Sequence, residues 1–599
     1  MRPEQRARTR SAAAAAPRRG RVAEPEQTAP LHRYLALCCD FDGTIAHDGV
    51  VSPAMVQALE RVAASGRRLL LVTGRELGDL RRVFPRLDVF DRVVAENGAL
   101  LFTPKTSEEQ VLCDAPSAAL VQELQRRHVQ PLSVGRAIVA TWEPHDTTVL
   151  EALRELGLEL SVVFNKGAVM VLPSGVNKAS GLDAALKSLE LSRHNAIGVG
   201  DAENDHALLA RCQVAVAVAN ALPALQEAAD IVTQGSRDAG VRELIDELLA
   251  DDLAGRARVS LRHEIVLGRN DAGAPVQFNP LATSLLVTGR SGSGKSTAAM
   301  AVLEQLADKD YSFCVVDPEG DYLDAPHAVV VGTQKNPLSL DEVTQALATG
   351  SNIVFNLLGV PLQERPRFFA AMVPLIEQRR LRTGQPHTLV VDEAHHMLGR
   401  ELPSAIEALG ARLDRLIVVT VHPEALGRPV LQRINGLLVV GAEAAQPLQQ
   451  FADATGRDLA LPGEATLAPG QALVWLDLAA PALQRVSLQP SRSERRRHSR
   501  KYAEGELARE RSFYFVGPQG KLKLRAQNLM VFLQIGDGVD DDTWLHHLRR
   551  HDYSAWIERE IKDPELAAEV RRIEDTLPGV PLSRQAVRAA VERLYTLPA

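Results

Sequence analysis

The sequence predicts a multidomain α/β protein: two α/β modules in series, followed by a small, mainly helical one. Three observations predict it. The chain has 599 residues, enough for roughly three to five domains of about 100–200 residues. Short apolar runs alternate with amphipathic stretches across residues 35–249 and again across 263–489, the rhythm of parallel strands joined by crossover helices. The composition, 45% hydrophobic and 24% charged, is that of ordinary globular proteins and excludes collagenous, wholly disordered and coiled-coil chains.

Taken in chain order, residues 1–33 form a basic tail with Arg2, Arg6, Arg8, Arg10, Arg18, Arg19 and Arg21 around a short alanine tract. That tract is too short for the apolar core of a secretory signal, so a solvated, disordered arm is expected. The first module covers 34–250, with buried strands expected at 35–39, 68–73, 196–199 and 214–218. Between about 100 and 172 the pattern changes to helices at 118–128 and 147–156 and strands at 136–142, 158–164 and 168–172, which predicts an inserted α+β unit. The second module, 260–489, has apolar strands expected at 284–288, 313–316, 353–357, 388–391, 416–421 and 436–440. A charged linker follows at 490–504, with Arg492, Arg495, Arg496, Arg497 and Arg500. The last domain, 505–599, carries helical patterns at 543–549 and 564–576. There Asp540, Asp541 and Asp542 are expected to cap a helix, and Trp544, Tyr553 and Trp556 to fill a core.

Charge and cysteine usage bound the function. Lys+Arg 68 against Asp+Glu 75 leaves a net charge of −7, so the whole molecule does not attract nucleic acid or anionic membrane. No apolar run approaches the ~18 residues of a membrane span. The five cysteines, Cys38, Cys39, Cys113, Cys212 and Cys314, form no CxxC pair, so neither a disulfide framework nor a zinc knuckle is indicated and a reducing cytoplasm is expected.

Two constellations carry chemistry. In the first, Asp40-Phe41-Asp42-Gly43-Thr44 follows the first strand and Thr73-Gly74-Arg75 follows the second. Lys178 opens a helical stretch, and Gly200-Asp201-Ala202-Glu203-Asn204-Asp205 ends a further strand. Acids brought together at strand ends require a hard cation, and an oxygen-only donor set suits Mg²⁺, which also binds substrate phosphate. Phosphoryl transfer then assigns the work. Asp40 attacks phosphorus to give an aspartyl-phosphate. Asp42 protonates the leaving oxygen and then deprotonates water. Thr73 and Lys178 hold phosphoryl oxygens, while Asp201 and Asp205 hold Mg²⁺ with Asp40 and the Asp42 carbonyl.

These four motifs resemble those of haloacid dehalogenase-like phosphatases over residues 35–249. The resemblance implies a Rossmann-like core with an inserted α+β cap. Within that superfamily Glu96-Asn97-Gly98, Leu172-Pro173-Ser174-Gly175-Val176-Asn177-Lys178 and Val218-Ala219-Asn220-Ala221 are similar to the Cof-type branch, whose cap lies between the second and third motifs. The branch implies a small phosphorylated metabolite as substrate, a sugar phosphate or phosphoglycolate, and makes Gly74, Arg75 and Asn97 candidate substrate contacts.

The second constellation is Gly289-Arg290-Ser291-Gly292-Ser293-Gly294-Lys295-Ser296-Thr297, a GxxxxGK[ST] loop between a strand and a helix. Its glycines Gly289, Gly292 and Gly294 let backbone N–H groups converge on ATP phosphates, where Thr297 also lies. Lys295 reaches the outer phosphates and Ser296 ligates Mg²⁺. The partner strand ends in Asp392-Glu393: Asp392 is expected to hold Mg²⁺ through water and Glu393 to polarise the attacking water. Asp317-Pro318-Glu319-Gly320-Asp321-Tyr322 and Val419-Thr420-Val421-His422-Pro423 follow two other strands. Together these resemble the FtsK/HerA-type P-loop ATPases over residues 263–440, with His422 where that family often carries a γ-phosphate-sensing Gln. His395 and His396 read as helix-start residues, not metal ligands. The carboxyl-terminal segments resemble a small uncharacterised domain of some bacterial sugar-phosphatase-like proteins.

The combined expectation is a Mg²⁺-dependent phosphomonoester hydrolase fused to an ATP-hydrolysing module. The alternative is a nucleic-acid motor with an accessory or end-trimming phosphatase, disfavoured by the acidic balance and by a cap that obstructs polymers. A polynucleotide kinase-phosphatase also pairs these domain types, but Asp392-Glu393 argues for water as acceptor. The oligomeric state stays open.

Overall fold

The computed structural model describes residues 32–595 except 257–260, 402–414, 458–465, 477–482, 493–506, 508, 521, 562 and 577–578. The basic tail and nearly all of the expected charged linker lie outside the described residues. Among the described residues no helix is long and apolar enough to cross a membrane.

The first module is built on an eight-stranded sheet. Its parallel part runs Ile231–Val232, Val214–Ala217, Ala196–Gly200, Ala36–Cys39, Arg68–Val72 and Arg92–Ala95. Almost every residue of these strands is buried, because helices cover both faces and leave no polar side to alternate with. The parallel register, Cys39 opposite Val199 on one side and Leu71 on the other, brings the strand ends level and so gathers the loops behind them.

Residues 100–111 correct the expected start of the inserted unit. Leu100–Thr103 and Glu108–Val111 pair antiparallel onto the edge of the core sheet. The unit itself comprises the helices Ala118–Arg126 and Asp146–Leu156 and the antiparallel sheet Ser133–Val134, Val139–Trp142, Ala168–Pro173 and Leu160–Asn165. Period-2 alternation turns Val139, Val169 and Val171 toward those helices, and turns Ile138, Met170 and Leu172 down onto Ala99 of the core. The unit is therefore a lid with one apolar face packed by its own helices and the other laid over the strand ends.

The second module is an eleven-stranded sheet. Its parallel centre runs Gly436–Val440, Leu285–Thr288, Leu416–Thr420, Thr388–Val391, Phe313–Asp317, Asn352–Asn356 and Ala328–Val331. Four antiparallel strands, Ile265–Asn270, Pro275–Phe278, Gln471–Leu476 and Gln484–Leu488, extend one edge. In the third module a short hairpin, Phe513–Phe515 with Leu524–Ala526, packs on five helices between Leu529 and Tyr595. Asp540 caps the helix Asp541–Arg549 by accepting from the Thr543 N–H at 2.9 Å, and Trp544, Tyr553 and Trp556 are buried in the core, as their spacing predicts.

The first two modules meet through a buried aromatic junction. His194 stacks on Tyr311 at 3.7 Å between ring centroids and meets His263 and His387 edge-on at 5.2 and 5.5 Å. Its ring nitrogens lie 2.6 Å from Gln213 Oε1 and 2.7 Å from the Lys309 carbonyl, and Glu190 reaches across to Arg379 and Arg382. The strands Ala196–Gly200, Phe313–Asp317 and Thr388–Val391 all begin at this junction and run away from it. Each spans about 13–17 Å at ~3.3 Å per residue, so each set of strand ends lies about a strand's length from the junction.

Candidate functional site

The first strand ends at Cys39 and delivers Asp40 to the centre of a buried carboxylate cluster. One oxygen each of Asp40, Asp201 and Asp205 lies within 4.8 Å of the other two, and all three residues are buried. Lys178 stands among them: its Nζ donates to Asp40 Oδ1 and to Asp205 Oδ1, each at 2.6 Å. The lysine is held there by the start of its helix, where Asn177 and Ser180 form a reciprocal capping box. Thr44 Oγ1 is 3.2 Å from Asp40 Oδ2 and 3.4 Å from Asp201 Oδ1. The second oxygen of Asp205 accepts the backbone N–H groups of Asp201 and Ala202, which ties the loop after the strand Ala196–Gly200 to the cluster.

The electrostatics follow from crowding. Burial and then the neighbouring Asp205 push the Asp40 carboxyl above the usual range, against the pull of Lys178. Burial alone would lower Lys178, but Asp205 and Asp40 overcome it and hold the ammonium above its ordinary value. Asp201 is likewise raised by burial, with Lys166 opposing. Three carboxylates against two ammonium groups, Lys178 and Lys166, leave an excess of negative charge on hard oxygen donors, the chemistry that fits a divalent cation of the Mg²⁺ type. The Asp42 carbonyl faces the same place, since Lys166 Nζ donates to it at 2.8 Å and to Asp201 Oδ2 at 2.9 Å.

The other sequence-predicted residues fall around this centre with different partners. Arg75 grips both oxygens of Asp42 at 2.6 and 2.8 Å and also bonds Asp79. Its guanidinium is thus engaged by two carboxylates. Thr73 is buried at the end of the adjacent strand, where its hydroxyl accepts the Arg75 N–H. Gly74 lies between Asn204 and Met170 of the lid. Asn97 is buried, and its Oδ1 accepts from Asn204, which ties two loops of the site together.

Sequence reasoning assigned no role to Lys166, Asn220 or Glu96. Asn220 donates to the Gly43 carbonyl and to Asp201 Oδ2 at 3.0 and 3.3 Å. The buried carboxylate of Glu96 accepts the backbone N–H groups of Arg136, Ala137 and Ile138 at 2.8–3.2 Å, latching the lid to the core. A Lys-Gly pair between two apolar runs signals a hairpin tip, but nothing local to it tells where the tip lands.

The second centre occupies the strand ends of the second module. The loop from Gly289 to Gly294 turns between the strand Leu285–Thr288 and the helix Lys295–Asp308. Gly289 approaches the Val440 carbonyl so closely that a Cβ would stand 2.3 Å from it, and Gly292 and Gly294 have positive φ. Lys295 Nζ donates to the Arg290 carbonyl inside the loop, and burial lowers its ammonium. Ser296 Oγ donates to Asp321 Oδ2 at 3.2 Å, and Thr297 follows it in the first helical turn. Asp392 is buried with Oδ1 lacking a hydrogen-bond partner, and burial followed by Asp317 and Asp321 raises its carboxyl. An orphaned carboxylate oxygen facing a phosphate-type loop fits a hydrated cation carried with a nucleotide.

Glu393 has a left-handed backbone, φ 42°, strain of the kind concentrated at working sites. Its Oε2 is 3.4 Å from His395 Nδ1, which also lies 3.0 Å from Thr420 Oγ1. His395 and His396 sit on a 3-10 turn, as helix-start residues should. The tertiary structure adds His422 at 5.2 Å from the His395 ring, with its Nδ1 3.2 Å from Glu424. Among the described residues only Asp40, Asp201 and Asp205 bring three metal-type donors together.

Comparison with known proteins assigns the two modules separately. The sequence model of the haloacid dehalogenase-like hydrolases matches residues 37–133 and 143–245, and that of an AAA domain matches residues 281–422. Phosphoglycolate phosphatase 2 of Saccharolobus solfataricus is 31% identical over 229 residues, covering 36% of this chain and 93% of that protein. A phosphoglycolate phosphatase of Methanothermobacter thermautotrophicus is 32% identical over 219 residues, 35% of this chain and 96% of that protein. The crystal structure of a haloacid dehalogenase-like hydrolase from Bacteroides thetaiotaomicron shares 20% identity over 36% of this chain and 99% of its own, with a TM-score of 0.32.

Proposed function

The chain belongs, through residues 37–133 and 143–245, to the haloacid dehalogenase-like hydrolases, and from that premise we propose that its first module is a Mg²⁺-dependent phosphomonoesterase of the Cof-type branch. The observation that carries this reading is the convergence of Asp40, Thr44, Lys178, Asp201 and Asp205 from separate loops onto one buried point. Asp40, Asp201, Asp205 and the Asp42 carbonyl would hold the cation, which when bound neutralises phosphoryl oxygens.

A carboxylate oxygen of Asp40 attacks phosphorus in line, forming an acyl-phosphate bond as the ester P–O bond breaks. Asp42, released from Arg75, passes its proton to the departing alkoxide. Water then enters, Asp42 takes its proton, and attack of the hydroxide on phosphorus frees phosphate and restores Asp40. Lys178 holds Asp40 in place and faces the phosphoryl group. The lid, latched by Glu96, roofs the site and favours a small phosphorylated metabolite, a sugar phosphate or a phosphoglycolate-like compound; relatives bearing the name phosphoglycolate phosphatase support the latter.

The AAA-type module binds ATP in this reading, with Lys295 on the outer phosphates, Ser296 and Asp392 toward Mg²⁺ and Glu393 polarising water. We place it with the FtsK/HerA-type ATPases on the phosphate-type loop and the strand-end pair Asp392-Glu393. The five free cysteines support a cytoplasmic location.

Phosphate release from sugar phosphates, phosphoglycolate and 3′-phosphorylated oligonucleotides tests the reading, with Asp40→Asn as control. Release from small esters that disappears in the control supports it, and release from oligonucleotides alone overturns it. For the second module, Lys295→Ala is expected to weaken ATP binding by about 100-fold, a loss of roughly 3 kcal/mol typical of a charged hydrogen-bonding partner. Equilibrium titration with a fluorescent ATP analogue reads this, and unchanged affinity would remove Lys295 from the nucleotide site. Stimulation of ATP hydrolysis by DNA would favour a motor instead.

A further inference from the structure

The lid strands Leu160–Asn165 and Ala168–Pro173 are joined by two residues, Lys166 and Gly167, at φ 48° and 85°. Such a tight turn needs left-handed backbone at both positions, and it makes Lys166 the tip of a rigid hairpin. The tip ends on the carboxylate cluster of the core, 124 residues from Asp42 in the chain. Gly43 makes room for it: a Cβ there would lie 2.6 Å from Lys166 Nζ and 2.3 Å from Asp201 Oδ2. The ammonium rests on the Asp42 carbonyl and Asp201 Oδ2, two of the oxygens assigned above to the divalent cation.

Resting on the phosphatase reading, we propose that Lys166 is the specificity-determining residue of the lid: it occupies the cation's oxygens in the free protein and, once displaced, pairs with an anionic group on the leaving part of the substrate. Three cations bond the carboxylates of this site. Lys178 is buried between Asp40 and Asp205, and Arg75 is held by Asp42 and Asp79. Lys166 alone of the three is carried by the lid, and its side chain is 46% exposed, so it can move without breaking the core. When Asp201 and the Asp42 carbonyl are given to a divalent cation, the ammonium loses its partners and meets a like charge. The hairpin keeps it beside Asp42, the residue assigned above to the leaving oxygen. A leaving group bearing a carboxylate a few bonds from the ester offers it a charge-assisted pair in a site otherwise rich in carboxylates. A neutral leaving group offers none.

The test uses the full chain, unaltered and as Lys166→Met and Lys166→Arg. Magnesium alone is titrated by calorimetry without substrate, and Lys166→Met is expected to bind it about tenfold more tightly because no ammonium competes. Phosphate release is then compared on phosphoglycolate and on ethyl phosphate, which has the same chain length without the carboxylate. The ratio of kcat/KM values for the two esters is expected to fall at least about tenfold in Lys166→Met and to recover in Lys166→Arg. A ratio unchanged by Lys166→Met overturns the proposal, and so does an unchanged magnesium affinity. Absence of release from every ester, para-nitrophenyl phosphate included, counts against the phosphatase reading; the substrate-free titration still decides whether Lys166 competes for the cation.

Discussion

Asp40→Asn is expected to reduce phosphate release by at least about four orders of magnitude, the scale of removing a covalent nucleophile, while the thermal transition stays the same or rises. Lys178→Met is expected to abolish release as well and to lower stability by about 3–5 kcal/mol, the usual cost of stripping the partner from buried charge. The two substitutions touch the same 2.6 Å ion pair yet differ in what they leave behind. Asparagine at position 40 removes one of three mutually repelling carboxylates and leaves Lys178 paired with Asp205. Methionine at position 178 leaves Asp40 and Asp205 without their shared ammonium. Phosphate release together with thermal unfolding in the absence of divalent cation reads both. Equal destabilisation by the two would mean that Lys178 does not balance the cluster, and added Mg²⁺ should restore part of the stability of Lys178→Met by supplying the missing charge.

Acid is expected to loosen the junction between the first two modules. Burial lowers His194 from 6.5 to about 3 and His263 to about 4, and lowers His387 well below its ordinary value with His194, Arg415 and Arg380 adding to it. A histidine kept neutral in the fold but free to charge when unfolded contributes stability that is complete above pH 6.5. That contribution is lost as pH falls toward the folded-state value, because the unfolded chain binds more protons in that interval. For His194 the loss is about 2 kcal/mol by pH 5, and His263 and His387 act in the same direction. Buried acids such as Asp317, raised to about 6 by burial, act with the opposite sign. The readout is therefore the difference between the unaltered protein and His194→Asn in thermal stability from pH 7.5 to 5. The variant should start less stable and lose less on acidification; parallel profiles would show that His194 does not titrate on unfolding.

Much of this was legible in the sequence because it is local. Asp40 and Asp42 follow an apolar run, Gly292 and Gly294 mark the left-handed turns of the phosphate-type loop, and the period of the apolar residues separates strand from helix. The antiparallel edge strands Ile265–Asn270, Pro275–Phe278 and Gln484–Leu488 were not legible, since each is short and carries polar residues on its open face. The partners of Arg75 were not legible for a related reason: the motif places the residue, but Asp42 and Asp79 decide where its charge goes.

By itself the sequence determined the two α/β modules, the order of their phosphate-handling motifs and which side chains stand at strand ends, because backbone propensity and apolar periodicity act over a few residues. Only the tertiary structure decided that Lys166 lands on the metal-type oxygens, that Glu96 latches the lid and that Ser296 meets Asp321. Those outcomes depend on packing between segments distant in the chain, where burial and charge balance select one arrangement that no local pattern encodes.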